Sequence, residues 1–442
     1  MLIGLGLWGV LIGPWPARDD FPTQPDQPPT PLDRSAVVLE TGGAGPIRVG
    51  LATVDLVPPR PTPLAGHIGG IAVPFVGVNS RCAARALTVA GPGASVTILT
   101  ADLLLVDDRL ARAVLDRAGL PREAVYFTAT HTHGGPGGWG VHPLERLVAG
   151  TYDPAGFDRL ADRLADAIVR SRASLVPAEV AFVEADAAGM QWNRVIPGGA
   201  TNPTVSAWIF RSATPLPGRA GDHPALATLA VFGAHATVAH PTPPRLGADY
   251  PGAFAAELAR TADTGEVLFA AGTVGDAGPV RPQAPTEQAA AEAYGRSLAA
   301  RLAPAIAAAR FLSEIELQNL VLAVDLPPVQ VPARLASLRL SPLATWWIGR
   351  PRTHLHAVRL GPAILVGFPG DYAGELARSI RAGVPVVATS FSGDYKGYLE
   401  SAVTFAARSC YETRWMSFFG PHLGDRLTRI AQGMVTHLAP TR

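Results

Sequence analysis

Two histidines beside a run of glycines are the first residues in this chain whose types and spacing could do chemistry. Residues 126–140 read YFTATHTHGGPGGWG, so His131 and His133 follow an alternating strand pattern and precede an open loop. Alternation sends side chains i and i+2 to one side of a strand, which predicts that the two imidazoles face the same space. Such a pair can bind a metal ion or a substrate, and it can equally form a hydrogen-bonded turn. The glycines favour a ligand site, because they let backbone and ligand approach closely.

Three further predicted strands end in residues of the same kind. His235 follows an apolar run at 226–233, Asp276 follows a buried run at 266–271, and Asp371 follows a run at 356–368. Strand ends hold side chains rigidly while the adjoining loops leave them accessible. The parallel between His131 and His235 therefore favours ligand positions at strand ends.

The elements that must position these residues alternate between strands and helices. Further strands are predicted at 47–54, 86–90, 95–101, 180–185, 319–324 and 384–390. Amphipathic helices are predicted at 108–118, 154–174, 250–261, 286–310 and 373–382. This order predicts an α/β fold with mixed sheets, flanking helices and a metal site at strand ends.

Composition excludes several classes of protein. The chain has 442 residues, of which 48% are hydrophobic, so it can build a large core and is not disordered. Its 37 basic and 36 acidic residues give a net charge of +1, which lacks the basic surplus of a nucleic-acid-binding protein. Cys82 and Cys410 permit one long-range disulfide, although two unpaired thiols fit the sequence better.

The N-terminus differs from the rest of the chain. Residues 1–16 are apolar, and they are followed by a proline-rich stretch. Sixteen residues are few for a membrane-spanning helix and enough for the apolar part of a signal peptide. We predict a signal peptide or membrane anchor at 1–16, a linker at 17–44 and one folded domain at 45–442, which places the protein outside the cytoplasm or on a membrane.

Several segments together resemble the N-terminal catalytic domain of the neutral or alkaline (non-lysosomal) ceramidases, which are zinc-dependent amidohydrolases. The most specific is ATHTHGGPGG at 129–138, which is similar to the family's ATHTHSGPGG. Weaker matches follow in the family's order over almost the whole folded region. They are Asp55-Leu56-Val57-Pro58-Pro59, Asn193-Arg194, His235-Ala236-Thr237, Gly275-Asp276, Pro369-Gly370-Asp371, Tyr398, Tyr411-Glu412 and Phe419-Gly420-Pro421-His422.

The resemblance implies a zinc site. Matched by motif, the four ligands are His131, His235, Asp371 and Tyr398. Two imidazoles, a carboxylate and a phenol oxygen suit Zn²⁺ and leave room for water.

The resemblance also implies catalytic residues around the substrate carbonyl. His133 and Arg194 match residues that would stabilise the developing oxyanion. Tyr411 matches a tyrosine that would donate a proton or a hydrogen bond, although Cys410 and one extra residue precede it.

The chain departs from the family pattern at several points. Gly278 stands where the family has a serine, which should leave extra room and one hydrogen bond fewer. Asp371 stands where the family has a glutamate, one methylene longer. The chain ends soon after the FGPH motif, so the family's C-terminal β-sandwich domain is not expected in it.

These observations predict a zinc hydrolase that cleaves an acyl amide, such as a ceramide-like N-acyl lipid of sphingolipid metabolism, with metal-activated water. The expected partners are a small lipid-like substrate and a membrane surface. The alternative is a catalytically impaired, ceramidase-like protein that binds lipid or metal, which Gly278 favours.

Some polar and aromatic residues have two interpretations. Asp249 and Asp276 could be catalytic or could cap helices and turns, whereas His240, His354 and His356 fit structural roles better. The pair Trp346-Trp347 could belong to the core or contact lipid.

Overall fold

The protein is represented by a computed structural model that describes residues 2–11, 13, 15–16, 31–66, 73–141, 143–218, 221–240, 242–327, 329–330, 338–339, 341, 343–344 and 352–439. Trp346 and Trp347 lie outside these residues. The helices are Leu2–Leu11, Asp108–Ala118, Pro143–Ala149, Pro154–Ala173, Asp249–Thr261, Glu287–Ala307, Gly374–Ala377, Ala402–Ala407 and Leu423–Leu438.

Strands are the second component of the fold. In chain order they are β1 (Trp15–Pro16), β2 (Val37–Asp55), β3 (Ala83–Gly91), β4 (Ala94–Ala101), β5 (Val125–Ala129), β6 (Val176–Asp186), β7 (Gln191–Asn193), β8 (Thr204–Ser212), β9 (Ala225–Phe232), β10 (Glu266–Ala271), β11 (Ala277–Pro279), β12 (Glu314–Asp325), β13 (Leu338–Arg339), β14 (Arg352–Leu360), β15 (Ala363–Gly367), β16 (Asp371–Tyr372), β17 (Val386–Thr389) and β18 (Tyr398–Leu399).

The long strand β2 joins two arms of one twelve-stranded sheet. Its first part pairs with β12 and its second part with β3. From β2 the sheet continues in one direction through β12, β14, β15 and β17, in another through β6, β8, β9 and β10, and in a branch through β3, β4 and β5. The pairs β4–β5, β9–β10 and β15–β17 are parallel, and the remaining pairs of this sheet are antiparallel. The prediction of an α/β fold with mixed sheets and flanking helices is confirmed.

The arms of the sheet pack on each other and carry helices on their outer faces. One buried cluster contains Leu87 and Tyr126 from the β3–β5 branch together with Leu317 and Val358 from the β12–β17 arm. Helices 108–118 and 154–173 cover the β3–β5 branch, helices 249–261 and 287–307 cover β8 to β10, and helix 423–438 covers β12 to β15. With both faces covered, the ends of the parallel strands remain as the place for a site.

Several predicted elements differ from the structure. The strand predicted at 356–368 is a hairpin, because Gly361 turns the chain with a φ of 63°. The helix predicted at 373–382 is reduced to Gly374–Ala377. Residues 37–44, which were predicted to lie in the linker, form the first part of β2 and pair with β12.

At the N-terminus, residues Leu2–Leu11 form a helix. Within the part of the chain that the structure describes, no helix combines the length and apolar character needed to cross a membrane. Cys82 is buried and Cys410 half-buried, and neither is bonded to another cysteine among the described residues.

Candidate metal centre and catalytic site

The end of β5 directs His131 into the interior. All five residues of β5 are buried, and its parallel pairing with β4 fixes where the strand ends. His131 follows with a φ of 58°, a left-handed conformation that is uncommon for a residue with a Cβ. Its ring stacks on Phe391, with 4.3 Å between centroids, and Phe391 also has a positive φ of 62°. The stacked pair fixes the direction of the imidazole.

The end of β9 brings His235 to the same place. Thr132 and Ala236 form a bridge between the two histidine-bearing loops, and the rings of His131 and His235 lie 4.8 Å apart. The backbone N–H of His235 donates to the carbonyl of Ala277 at 3.1 Å. Two loops from different strands are thereby held in register.

Asp371 and Tyr398 arrive as neighbours in a short sheet. They are direct partners in the parallel pairing of β16 with β18. Gly370 is required before Asp371, because a Cβ there would collide with the carbonyl oxygen of Gly397. The glycine of the Pro-Gly-Asp motif is therefore explained by steric constraint.

The four residues predicted as metal ligands converge. Asp371 Oδ1 lies 3.5 Å from Nε2 of His131 and 3.4 Å from Nε2 of His235. The hydroxyl of Tyr398 lies 3.0 Å from Nε2 of His235. Ligand atoms of His131, His235 and Asp371 all lie within 4.8 Å of one another, and the three side chains are buried.

Hydrogen bonds to the backbone fix which ring nitrogens face the centre of this cluster. Nδ1 of His131 contacts the carbonyl of Leu104 at 2.8 Å, and Nδ1 of His235 contacts the carbonyl of Ala277 at 3.2 Å. A carbonyl only accepts, so each Nδ1 carries the hydrogen and each Nε2 presents a lone pair. Asp371 Oδ1 is buried and receives no hydrogen bond from the residues that the structure describes.

Burial sets the protonation of the cluster. It lowers the pKa of His131 to about 4 and the pKa of His235 to about 3, so both imidazoles are neutral near pH 7. Burial also raises the pKa of Asp371, and it raises the pKa of the Tyr398 phenol well above its usual value. Neutral imidazoles are the form that binds a metal.

These residues fit a metal ion. Two imidazole lone pairs and a carboxylate oxygen face one another, and a cation would satisfy all three at once. Tyr395 donates from its hydroxyl to the other oxygen, Oδ2, of Asp371 at 2.9 Å, which leaves Oδ1 directed at the histidines. The set of nitrogen and oxygen donors is one that zinc accepts, together with other divalent metals that imidazole suits.

The three residues predicted to be catalytic lie around the cluster. The ring of His133 is 5.0 Å from that of His131, and its Nδ1 contacts the carbonyl of Gly66 at 3.1 Å. Gly66 leaves this space, since a Cβ there would lie 2.6 Å from the His133 ring.

Arg194 and Tyr411 both lie near the ring of Tyr398. The guanidinium of Arg194 lies 6.0 Å from the centroid of the Tyr398 ring, and its Nε contacts Glu412 Oε1 at 2.8 Å. Tyr411 and Glu412 belong to a π-helical turn, Tyr411–Trp415, and the Tyr411 ring is 5.9 Å from that of Tyr398. Single π-helical turns often occur at functional sites.

The expectation that Gly278 leaves extra room is wrong. Gly278 pairs with Trp192 across β11 and β7, and a Cβ on Gly278 would lie 2.7 Å from Nε1 of that indole. The indole N–H donates to the carbonyl of Pro279 at 3.2 Å, which holds the ring over the glycine. Trp192 therefore takes the space that the missing side chain would otherwise leave.

The ambiguous acids have structural roles. Asp276 accepts from the backbone N–H groups of Gly374 and Glu375 and so caps the helix that begins there. Asp249 accepts from the N–H groups of Ala239 and Tyr250.

Among the ambiguous histidines, His356 is buried, and its Nε2 contacts Asn319 Oδ1 at 2.6 Å. It lies on β14. This contact agrees with the structural role that the sequence favours for it.

Sequence reasoning did not assign roles to Tyr395, Glu412 or Trp192. Tyr395 lies three residues before Tyr398 in a loop where the sequence singled out only the second tyrosine. Glu412 directly follows Tyr411 in the Tyr-Glu motif. An acid without an assigned role next to a predicted catalytic residue was therefore the available signal. Nothing in the sequence pairs Trp192 with Gly278, because their contact depends on the register of two short strands.

Comparison with known protein families and sequences finds similarity to neutral ceramidases over part of the chain. Residues 70–249 match the family model described as neutral/alkaline non-lysosomal ceramidase, N-terminal. A neutral ceramidase from Mycobacterium tuberculosis is 27% identical over 144 residues, which cover 30% of this chain and 23% of that protein. The match thus spans about a quarter of the relative's length.

Two solved structures share the fold. The neutral ceramidase from Pseudomonas aeruginosa superposes with a TM-score of 0.70 at 19% identity, and a ceramidase complexed with C2 superposes with a TM-score of 0.71 at 18% identity. Each comparison covers 90% of this chain and 76% of the other.

Proposed function

We propose that this chain, a relative of the neutral and alkaline ceramidases over residues 70–249, is a zinc-dependent hydrolase of an acyl amide. The observation that carries the proposal is the convergence of two Nε2 lone pairs and Asp371 Oδ1 on one buried point, with Tyr398 beside them. His131, His235, Asp371 and Tyr398 would hold the metal. When bound there, Zn²⁺ would polarise a carbonyl and lower the pKa of water to about 7.

Residues of the chain itself would position the substrate. Arg194 carries a fixed positive charge, and its ion pair with Glu412 holds the guanidinium near Tyr398. A cation in this place would stabilise the negative charge that develops on the carbonyl oxygen. His133, whose Nδ1 donates to the carbonyl of Gly66, would stabilise the same oxygen as an imidazolium, in which Nε2 also carries a hydrogen.

Tyr411 would complete the proton transfers. Burial raises the pKa of its phenol, so the hydroxyl keeps its proton near neutral pH and can donate it or a hydrogen bond. Its place in a turn with Glu412 links its position to that of Arg194.

The substrate class that we propose is an N-acyl lipid similar to ceramide. The support is the family match, and the neutral ceramidases among the relatives carry the activity in their names. The test is to assay purified, zinc-loaded protein against ceramides, N-acyl amino acids and simple esters. Rapid ceramide cleavage would support the full proposal, and cleavage of the other amides or esters alone would restrict it to a different acyl group.

A second candidate function is a ceramidase-like protein that binds lipid or metal without turnover. Gly278 favours it, because the family's serine is absent and Trp192 fills its place. Stoichiometric zinc with no turnover on any member of the panel would favour this second candidate and contradict the first.

We also propose that the protein acts outside the cytoplasm or at a membrane, on the basis of the apolar residues 1–16. Cell fractionation of the full-length protein tests this. Recovery in the cytosol with an intact N-terminus would contradict it.

A further inference from the structure

One large apolar side chain near the candidate site is exposed. Trp192 is 53% exposed although its strand neighbours Gln191 and Asn193 are buried. An exposed tryptophan held by a specific hydrogen bond, here to the carbonyl of Pro279, presents a rigid apolar face at low entropic cost. Such a face is suited to ligand contact.

The position of Trp192 relates this face to the site. Arg194 follows two residues after Trp192, directly beyond the end of β7, and its backbone N–H donates to the carbonyl of Asp276, two residues before Gly278. The strand partner of Trp192 is Gly278, and the adjoining Ala277 accepts a hydrogen bond from His235 through its carbonyl. The indole is thus close in the chain to the proposed oxyanion residue, and its partner strand β11 contacts a metal-ligand candidate.

Glycine at position 278 is what allows the indole to lie in this position. A Cβ on Gly278 would approach Nε1 at 2.7 Å and Cε2 at 2.8 Å, closer than carbon atoms tolerate. Any side chain at this position would displace the ring or break its bond to Pro279. The pair of Gly278 and Trp192 is therefore a single structural feature.

We infer that Trp192 is a specificity-determining residue that packs against the apolar chain of the acyl group, close to the scissile carbonyl. The inference rests on the proposed function for the nature of the ligand. An acyl chain that leaves a carbonyl bound at Arg194 would pass the exposed face of the indole two residues away. The protein should therefore prefer long acyl groups over acetyl, and this preference should depend on Trp192.

The test measures binding of carboxylate products, which does not require turnover. Calorimetric titration of zinc-loaded protein with acetate, hexanoate and decanoate gives an affinity for each chain length. Each methylene that becomes buried should strengthen binding about fourfold. Trp192→Ala should weaken decanoate binding about tenfold and acetate binding less than twofold, as expected for loss of an aromatic contact.

Three further variants make the result specific. Trp192→Phe keeps an apolar face and should retain most of the affinity for decanoate. Gly278→Ala should displace the indole and reproduce the Trp192→Ala pattern. Trp8→Ala removes a similarly exposed tryptophan, 54% exposed, from the N-terminal helix and should change nothing. Zinc content should equal that of the wild type in all of them.

The outcomes separate this inference from the proposed function. Wild-type binding that does not depend on chain length, or equal loss of acetate and decanoate affinity in Trp192→Ala, would overturn the role of Trp192 even if amides are cleaved. Chain-length-dependent binding that Trp192→Ala abolishes, in a protein that cleaves no amide, would support the role of Trp192 and reject the hydrolase.

Discussion

Replacing Asp371 by asparagine should separate the effect of this side chain on folding stability from its effect on metal binding. Asp371 Oδ1 is buried, lies 3.4–3.5 Å from the Nε2 atoms of His235 and His131, and accepts no hydrogen bond from the described residues. A buried acceptor without a donor costs about 1–3 kcal/mol. The amide of asparagine has the same shape and could place a donor at this position.

The variant should therefore have opposite effects on folding and on metal binding. Metal-free Asp371→Asn should be at least as stable as the wild type, by up to about 2 kcal/mol, because an N–H group could donate to Nε2 of His131, while Nε2 of His235 accepts from the Tyr398 hydroxyl. Zinc affinity should fall by more than about a hundredfold, because even a change in a residue that only supports a ligand costs about 10–100-fold.

Two measurements check this prediction. Competition with a chromogenic chelator gives the zinc affinity, and the unfolding temperature of chelator-treated protein gives the stability without metal. Asp249→Asn is the matched control, because Asp249 is also a buried acid but its oxygens accept from the N–H groups of Ala239 and Tyr250. This control should keep its zinc. Wild-type zinc affinity in Asp371→Asn, or a metal-free protein less stable than the wild type, would refute the reasoning.

Three other predictions follow from the site and the core. His131→Ala should lose both zinc and activity, whereas His133→Ala should keep stoichiometric zinc and lose about 10²–10³ in kcat; equal zinc loss in both would contradict their separate roles. Glu412→Gln should keep zinc but lower kcat/KM about tenfold by loosening Arg194, and unchanged kinetics would show that Arg194 is held by other contacts. Burial raises the pKa of Asp249 from 3.8 to about 7, so the folded protein holds one more proton than the unfolded chain in this interval, and stability should fall as the pH rises through it, by roughly 4 kcal/mol at most. Asp249→Asn should flatten the unfolding free energy between pH 4 and 7, and a slope equal to that of the wild type would exclude Asp249 as its source.

The residues of the metal cluster could be predicted because the motifs that carry the family resemblance are local. ATHTH, the His-Ala-Thr segment and Pro-Gly-Asp each lie in one loop at the end of one strand, and the sequence identifies both the strand and the loop. The structure then brings these loops together through the bridge between Thr132 and Ala236 and the pairing of β16 with β18.

Contacts that depend on register or on distant packing could not be predicted in the same way. Trp192 meets Gly278 only because two three-residue strands pair in one register, and a shift by one residue would turn the indole to the other face. The missed strand β8 contains the apolar and aromatic run AWIF, a signal that was present. The hairpin β14–β15 was read as one strand because apolar residues flank Gly361 and Pro362 on both sides, and these two residues mark the turn.

The geometry of the cluster links metal binding to the stability of the whole domain. His131 and Phe391 hold left-handed backbone conformations, each of which costs about 1–3 kcal/mol, and Asp371 Oδ1 lies between two ring nitrogens without accepting a hydrogen bond from the described residues. The surrounding strands and helices must offset these terms, because the ends of β5 and β9 are fixed by buried pairing with β4 and β10. A cation that binds only the folded arrangement removes the electrostatic part of the strain. At a free zinc concentration of 1,000 times the Kd, this binding would add about 4 kcal/mol to the free energy of unfolding. The domain is therefore expected to unfold at a lower temperature after chelation, and the loss should disappear in variants that lack His131 or His235.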